Sequence, residues 1–255
     1  MSSIPKVSVV MPAFNSERYI CDAIASVRNQ TFDEWELIVV DDCSTDSTYE
    51  TVCEIAQEDP RIRVIRNATN RGAAASRNAG FGQCKGKYVA LLDSDDLWEP
   101  EKLQKQIAYA EKSGADIVCC SYAIIDEQGR KKAADFIVPD RTDFQSMLTK
   151  STISCSTAML KTTMVEQYRF PTHIYHEDLA YWLLLLKNGA QAVGITEVLA
   201  SYRVTRGSRA SNKLRSAINR WKIYRGYLGI PFTRSVCLLL RYMCLGVVKY
   251  RKKLR

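Results

Sequence analysis

The chain has 255 residues, 46% of them hydrophobic, with only 12 Gly and 7 Pro. That content suffices for one substantial core and excludes disordered and collagen-like chains. The net charge of +8 is unevenly placed: all 28 Asp and Glu lie in the first 197 residues against 21 of the 36 Lys and Arg, so this body carries −7 and the last 58 residues +15.

In chain order, Lys6 to Pro12 is a β-branched apolar run bounded by proline, a buried strand. Glu17 to Gln30 places Tyr19, Ile20, Ala23, Ile24 and Val27 at helical spacing. Glu36 to Asp41 predicts a second strand, Asp46 to Gln57 a helix with Asp46 as its cap, and Ile62 to Arg66 a third strand. Gly72 to Gln83 reads as an alanine-rich helix, Tyr88 to Asp93 as a fourth strand, Glu101 to Ser113 as a helix and Asp116 to Ser121 as a fifth strand. Strands that are apolar throughout and alternate with helices predict a mostly parallel sheet covered on both faces. Ligands of such sheets bind beyond the carboxyl ends of the strands.

The second half is less regular. Ser156 to Leu160 and Ile195 to Val204 read as extended, and Glu177 to Asn188 as a helix apolar at Leu179, Trp182, Leu183 and Leu186. Ser211 to Leu228 and Arg234 to Tyr250 read as helices separated by Gly229-Ile230-Pro231. Pro171 argues against helix around His173 and His176, the only two histidines, so a metal pair there is not expected. The nine cysteines are scattered without a CxxC pair, which fits a reducing, cytoplasmic compartment better than a zinc site. The N-terminus lacks a signal-peptide core, and Val236 to Val248, broken by Arg241, falls short of the ~20 apolar residues of a membrane span.

Three strand ends carry unusual residues: Pro12-Ala13-Phe14-Asn15, Asp41-Asp42-Cys43-Ser44-Thr45-Asp46 and Asp93-Ser94-Asp95-Asp96. Carboxylates this close repel and gain from a cation, as when a divalent metal bridges Asp residues and substrate phosphates. Asp46 alone is better read as a turn former or helix cap. No GxGxxG follows the first strand and no GxxxxGK[ST] occurs, so neither a dinucleotide site nor a P-loop is expected. A metal-bridged diphosphate with side-chain base recognition remains: Asp42 can accept the N3–H of a uracil, and Phe14 can stack on the base.

At this point the chain resembles a family 2 glycosyltransferase, an inverting group with the GT-A fold. The resemblance rests on Val9 to Asn15, Glu36 to Asp46, Asn70-Arg71-Gly72 through Ser76-Arg77-Asn78, Gly86 to Asp96, and His176-Glu177-Asp178. Together these cover about residues 6 to 205, in order. Within the family it most resembles bacterial enzymes of cell-surface polysaccharide synthesis, such as teichuronic acid glycosyltransferases. The resemblance implies that Pro12 and Phe14 line the base pocket, Asp42 holds the pyrimidine, Arg77 helps bind the nucleotide and Asp93 contacts the ribose side of the donor. It implies that Asp95 binds the divalent metal, Mn²⁺ or Mg²⁺, and that Asp178 is the general base. The QxxRW motif of processive synthases is absent; the chain offers Arg203 to Arg209 instead, which favours a single addition.

The expected organisation is a nucleotide-sugar-binding half over 1–120, an acceptor-binding half of the same domain over 121–205, and a basic helical tail over 206–255. The expected donor is a UDP-sugar and the expected acceptor a saccharide on a polyprenyl diphosphate at the inner face of the cytoplasmic membrane. The tail either contacts that membrane peripherally or docks on the domain. Two rival functions compete: a nucleotidyltransferase, whose early glycine-rich basic loop is missing here, and a nucleic-acid-binding protein, which leaves the acidic strand ends unexplained. No nucleic-acid partner is expected. Trp98 and Trp182 are read as packing residues, with Trp98 the better sugar contact of the two.

Overall fold

β1 (Val7–Ala13) and β2 (Trp35–Asp41) are buried along their whole length and pair in parallel from Val7↔Trp35 to Ala13↔Asp41. The computed structural model describes residues 4–205 and 213–251. β3 (Ile62–Arg66) adds in parallel outside β2, and β4 (Tyr88–Leu91) in parallel on the other side of β1. The connections are α1 (Ile20–Arg28), α2 (Thr48–Glu58) and α3 (Ala73–Phe81). Each strand and helix predicted in the first 120 residues forms within three residues of its expected bounds, except that the fifth strand runs four residues further, to Ile125. Asp46 does act at a helix start: its Oδ1 accepts from the Thr48 backbone N–H at 3.0 Å.

Beyond β4 the sheet becomes mixed, in the order β3-β2-β1-β4-β9-β6-β10-β5. β5 (Leu97–Trp98) and α4 (Lys102–Ser113) follow the acidic loop. β9 (Met159–Lys161) runs antiparallel between β4 and β6 (Ile117–Ile125). β10 (Ala192–Arg203) is parallel to β6 and antiparallel to β5. β7 (Lys131–Phe136) and β8 (Arg141–Thr142) pair at the margins with β6 and β10. One sheet therefore runs through both the 1–120 and the 121–205 segments. β7, β8 and the six-residue α5 (Phe144–Thr149) are additions to the predicted elements; they are too short, and β7 too exposed, to leave a clear period.

Alternation along the strands builds two cores. Val10, Ile38, Val40 and Leu91 face one way, against α3, α7 (Glu177–Lys187) and Tyr224. Val9, Met11, Leu37 and Val39 face the other, against α1 and α4. Each such fully buried side chain contributes about 1.5–3 kcal/mol. The short α6 (Thr162–Gln167) follows β9. The tail forms α8 (Lys213–Lys222), a π-helical turn at Ile223–Tyr227, and α9 (Phe232–Arg251). Arg220 Nη1 donates to the Leu148 carbonyl at 2.6 Å, so α8 is docked on the C-terminal end of α5.

Candidate active site

The carboxyl ends of β1, β2 and β4 open into a cavity of about 580 Å³. Pro12, Phe14, Asp42, Arg77, Asp93, Asp95 and Asp178 all line it, although they are spread over 167 positions of chain. Topology does this: parallel strands end on one edge, and α7 begins at the same edge. Among the described residues three non-glycine residues adopt positive φ, Asn15 (48°), Cys43 (63°) and His176 (67°). Each directly adjoins a lining residue, namely Phe14, Asp42 and Glu177. Such conformations persist only where surrounding contacts enforce them. Here Asn15 Oδ1 accepts from Thr45 N at 2.9 Å and Asn15 N donates to Ser44 Oγ at 3.0 Å, tying the first two loops together.

Phe14 is 47% exposed, an aromatic face left open beside Pro12. Asp42 is buried and already engaged. Its Oδ1 accepts from Asn67 Nδ2 at 2.7 Å and Arg71 N at 2.9 Å, and its Oδ2 from Gly72 N at 2.7 Å. Asp42 thus shapes the 67–72 loop, and Oδ2 retains one lone pair for a ligand N–H. Gly72, at φ 84°, turns that loop into α3 without a side-chain cap, so the first amides of α3 remain available at the cavity.

Arg77 is 4% exposed and is already engaged by two acids at the cavity it lines. Its Nη2 donates to Asp93 Oδ1 at 2.5 Å, and its Nη1 lies 3.7 Å from Glu177 Oε1. Burial opposes its charge, but Asp93 and then other neighbours including Glu177 more than offset this and raise its pKa. Arg77 therefore joins the donor-side strand end to the start of α7. Glu177 lines the cavity as well.

The acidic loop is held from behind. Asp96 Oδ2 accepts from Ser156 Oγ at 2.5 Å and its Oδ1 from Arg203 N at 2.8 Å. Burial, then Asp95 and Asp93, raise the Asp96 carboxyl well above the usual range. Arg203 Nε donates to the Asp95 carbonyl at 2.7 Å, and Ser156 Oγ accepts from Asp93 N at 3.1 Å. These three positioning residues were missed in sequence reasoning. Asp96 stood in view within the acidic cluster, but Ser156 and Arg203 lie 60 and more positions away and carry no local signal. Trp98 packs, as its reading as a packing residue expects, and is buried behind this loop rather than open to a sugar. It is 4% exposed, and its Nε1 donates to the Ser156 carbonyl at 2.7 Å.

Asp95 is the candidate metal ligand. Burial, and next the neighbouring Asp93, push its carboxyl up to about 6. Two carboxylates gathered in this way are relieved by a cation. Among the described residues no group of three or more His, Cys, Asp or Glu is placed to hold an ion by itself. The protein offers one or two carboxylates, and phosphate oxygens and water complete the shell, which is how Mg²⁺ and similar hard cations bind with nucleotides. The residues present fit that group.

Residues 8–169 match the model of glycosyl transferase family 2. The chain is 35% identical over 238 residues to TuaG of Bacillus subtilis, which carries a teichuronic acid biosynthesis assignment, covering 93% of this chain and 94% of that protein. It is 33% identical over 245 residues to WfgD of Escherichia coli, a UDP-Glc:α-D-GlcNAc-diphosphoundecaprenol β-1,3-glucosyltransferase, covering 96% and 94%. Among solved structures, TarS 1–349 of S. aureus in complex with UDP-GlcNAc superposes with TM-score 0.75 at 22% identity, over 93% of this chain and 71% of that one. The mannosyltransferase PcManGT of Pyrobaculum calidifontis, in complex with GDP-Man and Mn²⁺, superposes with TM-score 0.70 at 19% identity, over 94% and 70%. These two superpositions bear on the fold, which is of GT-A type.

Proposed function

The chain belongs to glycosyl transferase family 2 and is a nucleotide-sugar-dependent glycosyltransferase, and on that premise we propose that it transfers a sugar from UDP to a hydroxyl of a polyprenyl-diphosphate-linked saccharide, with inversion. The carrying observation is that Asp42, Asp93 and Asp95 on the strand ends share one cavity with Asp178 at the start of α7.

Pro12 and Phe14 flank the base, and Asp42 Oδ2 accepts its N–H. Asp93, oriented by Arg77, meets the ribose side of the donor. Asp95 would hold a divalent cation, Mn²⁺ or Mg²⁺, which when bound neutralises charge building on the departing diphosphate. Asp178 takes the proton of the acceptor hydroxyl as its oxygen attacks the anomeric carbon. The bond from that carbon to the diphosphate oxygen breaks, and UDP leaves with the bonding pair. Retention would need a second carboxylate as nucleophile. Glu177, the neighbouring candidate, sits 3.7 Å from the Arg77 guanidinium, which supports single displacement by Asp178 alone.

WfgD supports the choice of UDP and of a lipid diphosphate acceptor, and WfaP of Escherichia coli, named for the same reaction, is 33% identical over 244 residues. The test is a panel of UDP- and GDP-sugars with a GlcNAc-diphospholipid acceptor and Mn²⁺ or Mg²⁺. UDP-dependent formation of a β-linked product from an α-linked donor is expected. Turnover with GDP-sugars only, or an α-linked product, overturns the reading.

A further inference from the structure

α9 has two unlike faces. Ser235 is buried, Leu238, Leu239 and Tyr242 are half-buried, and the Arg220 guanidinium lies 4.1 Å from the centroid of the Tyr242 ring. This face docks on the domain. On the opposite arc Phe232 is 60% exposed, Leu240 52% and Met243 42%, with Cys237 and Cys244 exposed beside them. At ~100° per residue these side chains span an arc of about 140°, apolar but for the exposed Thr233 within it. Arg241, exposed, follows at one border of that arc, next to Arg234, whose Nη2 donates to Gln145 Oε1 at 3.0 Å. α8 adds the 48%-exposed Ile218 together with exposed Lys222. No Asp or Glu occurs after Glu197.

We infer that the outer face of α9 lies in the surface of an anionic phospholipid bilayer, with its apolar stripe among the acyl chains and its arginines at the headgroups. A soluble protein leaves such a stripe exposed only where something covers it. The cationic border and the missing acids complement anionic headgroups. They oppose a second copy of the same tail, because +15 would meet +15. No described helix is long and apolar enough to cross a membrane, so the contact is in-plane. The terminal cluster Lys249 to Arg255 lies outside the residues whose side chains are described.

The placement also suits the chemistry, and in this respect the inference rests on the proposed acceptor. The Arg215 guanidinium of α8 lies 4.3 Å from the centroid of the Tyr175 ring. Tyr175 lines a second cavity of about 340 Å³, which shares Gly72, Ala73 and Glu177 with the first. α8, which neighbours the proposed membrane face of α9, therefore borders a cavity continuous with the donor site, where a lipid-linked acceptor could be presented.

The experiment is flotation of the full chain with phosphatidylcholine vesicles, with and without phosphatidylglycerol. Binding is expected only with phosphatidylglycerol and should weaken as salt rises. A Leu240→Ser/Met243→Ser variant should partition about tenfold or more less strongly, and Lys222→Gln/Arg241→Gln about tenfold less. Both should retain the parental melting temperature and parental hydrolysis of UDP-sugar without acceptor. Equal binding by the serine variant, or no binding by the parent, overturns the inference. So does a dimer that the serine substitutions dissolve. Vesicle binding by a chain that hydrolyses no nucleotide sugar supports the membrane face while overturning the donor reading.

Discussion

Arg77 grips Asp93 from a site that is almost closed to solvent: the guanidinium is 4% exposed, yet its Nη2 meets Asp93 Oδ1 at 2.5 Å on the cavity wall. The same side chain stands between Asp93 and Glu177, so it separates two acids that would otherwise face one another. Replacing it by Leu leaves both carboxylates without this cation. The expected cost is about 3 kcal/mol of stability, the low end for a broken buried pair because Asp93 is partly exposed. Arg77→Lys restores charge without the two-sided geometry. It should recover most of the melting temperature but less of kcat. Chemical denaturation and steady-state kinetics of the two variants check this, and a leucine variant of parental stability would count against the bridge.

Asp178→Asn should lower kcat by about a hundredfold or more while donor affinity stays near parental, because a positioned base acts on the acceptor proton. Calorimetry with UDP-sugar separates the two effects. A lost donor affinity would move Asp178 to the donor side.

Asp95 titrates within reach of ordinary buffers. Burial and Asp93 hold its carboxyl at about 6 before a cation arrives. Cation binding needs the ionised form, so protons compete below that value and affinity for Mn²⁺ should fall up to about tenfold per pH unit from 6 to 5. Asp95→Ala should weaken Mn²⁺ binding at pH 7.5 and flatten this dependence. Mn²⁺ titration by calorimetry at several pH values reads both; an unaltered affinity in the alanine variant removes Asp95 from the metal site.

Lys102 supplies the clearest pH signature in the fold. It is fully buried in α4, with Nζ 3.8 Å from the Trp98 ring centroid and donating to Gln106 Oε1 at 2.6 Å. Burial pushes its pKa from 10.5 down to about 8. Between those values the unfolded chain holds more protons than the folded one, so this group makes stability rise with pH from about 8 to 10.5. Below pH 8 the penalty is complete, of order 3 kcal/mol at ~1.36 per unit before the Trp98 contact offsets part of it. Lys102→Met keeps the packing and removes the charge. It should be about 1 kcal/mol more stable at pH 7 and lose that advantage by pH 10. Urea melts at the two pH values decide the matter, and a methionine variant destabilised at pH 7 would show that the ammonium is net favourable.

Much of the catalytic edge was legible in the chain itself. Unbroken β-branched runs such as Val7 to Met11 and Leu37 to Val40 can be buried on both faces only in a parallel sheet. Such a sheet obliges the residues after each strand to share an edge, so the sequence alone puts Phe14, Asp42, Asp93 and Asp95 together. The helical period of Leu179 to Leu186 gave the helix that Asp178 begins, whereas only the family resemblance pointed to Asp178 as a site residue.

Tertiary structure decided what those residues have left to offer. Asp42 spends three acceptor positions on Asn67, Arg71 and Gly72, and Arg77 spends its charge on Asp93 and Glu177. Ser156 and Arg203 reach the acidic loop only because β9 and β10 insert beside β4 and β6 in an order no local pattern encodes. Trp98 turned inward for the same reason, its ring taken up by Lys102 and its N–H by Ser156. Side-chain period and turn chemistry are short-range quantities, readable within a window of residues. Hydrogen-bond occupancy depends on which distant segment arrives, and it exists only once the sheet has closed.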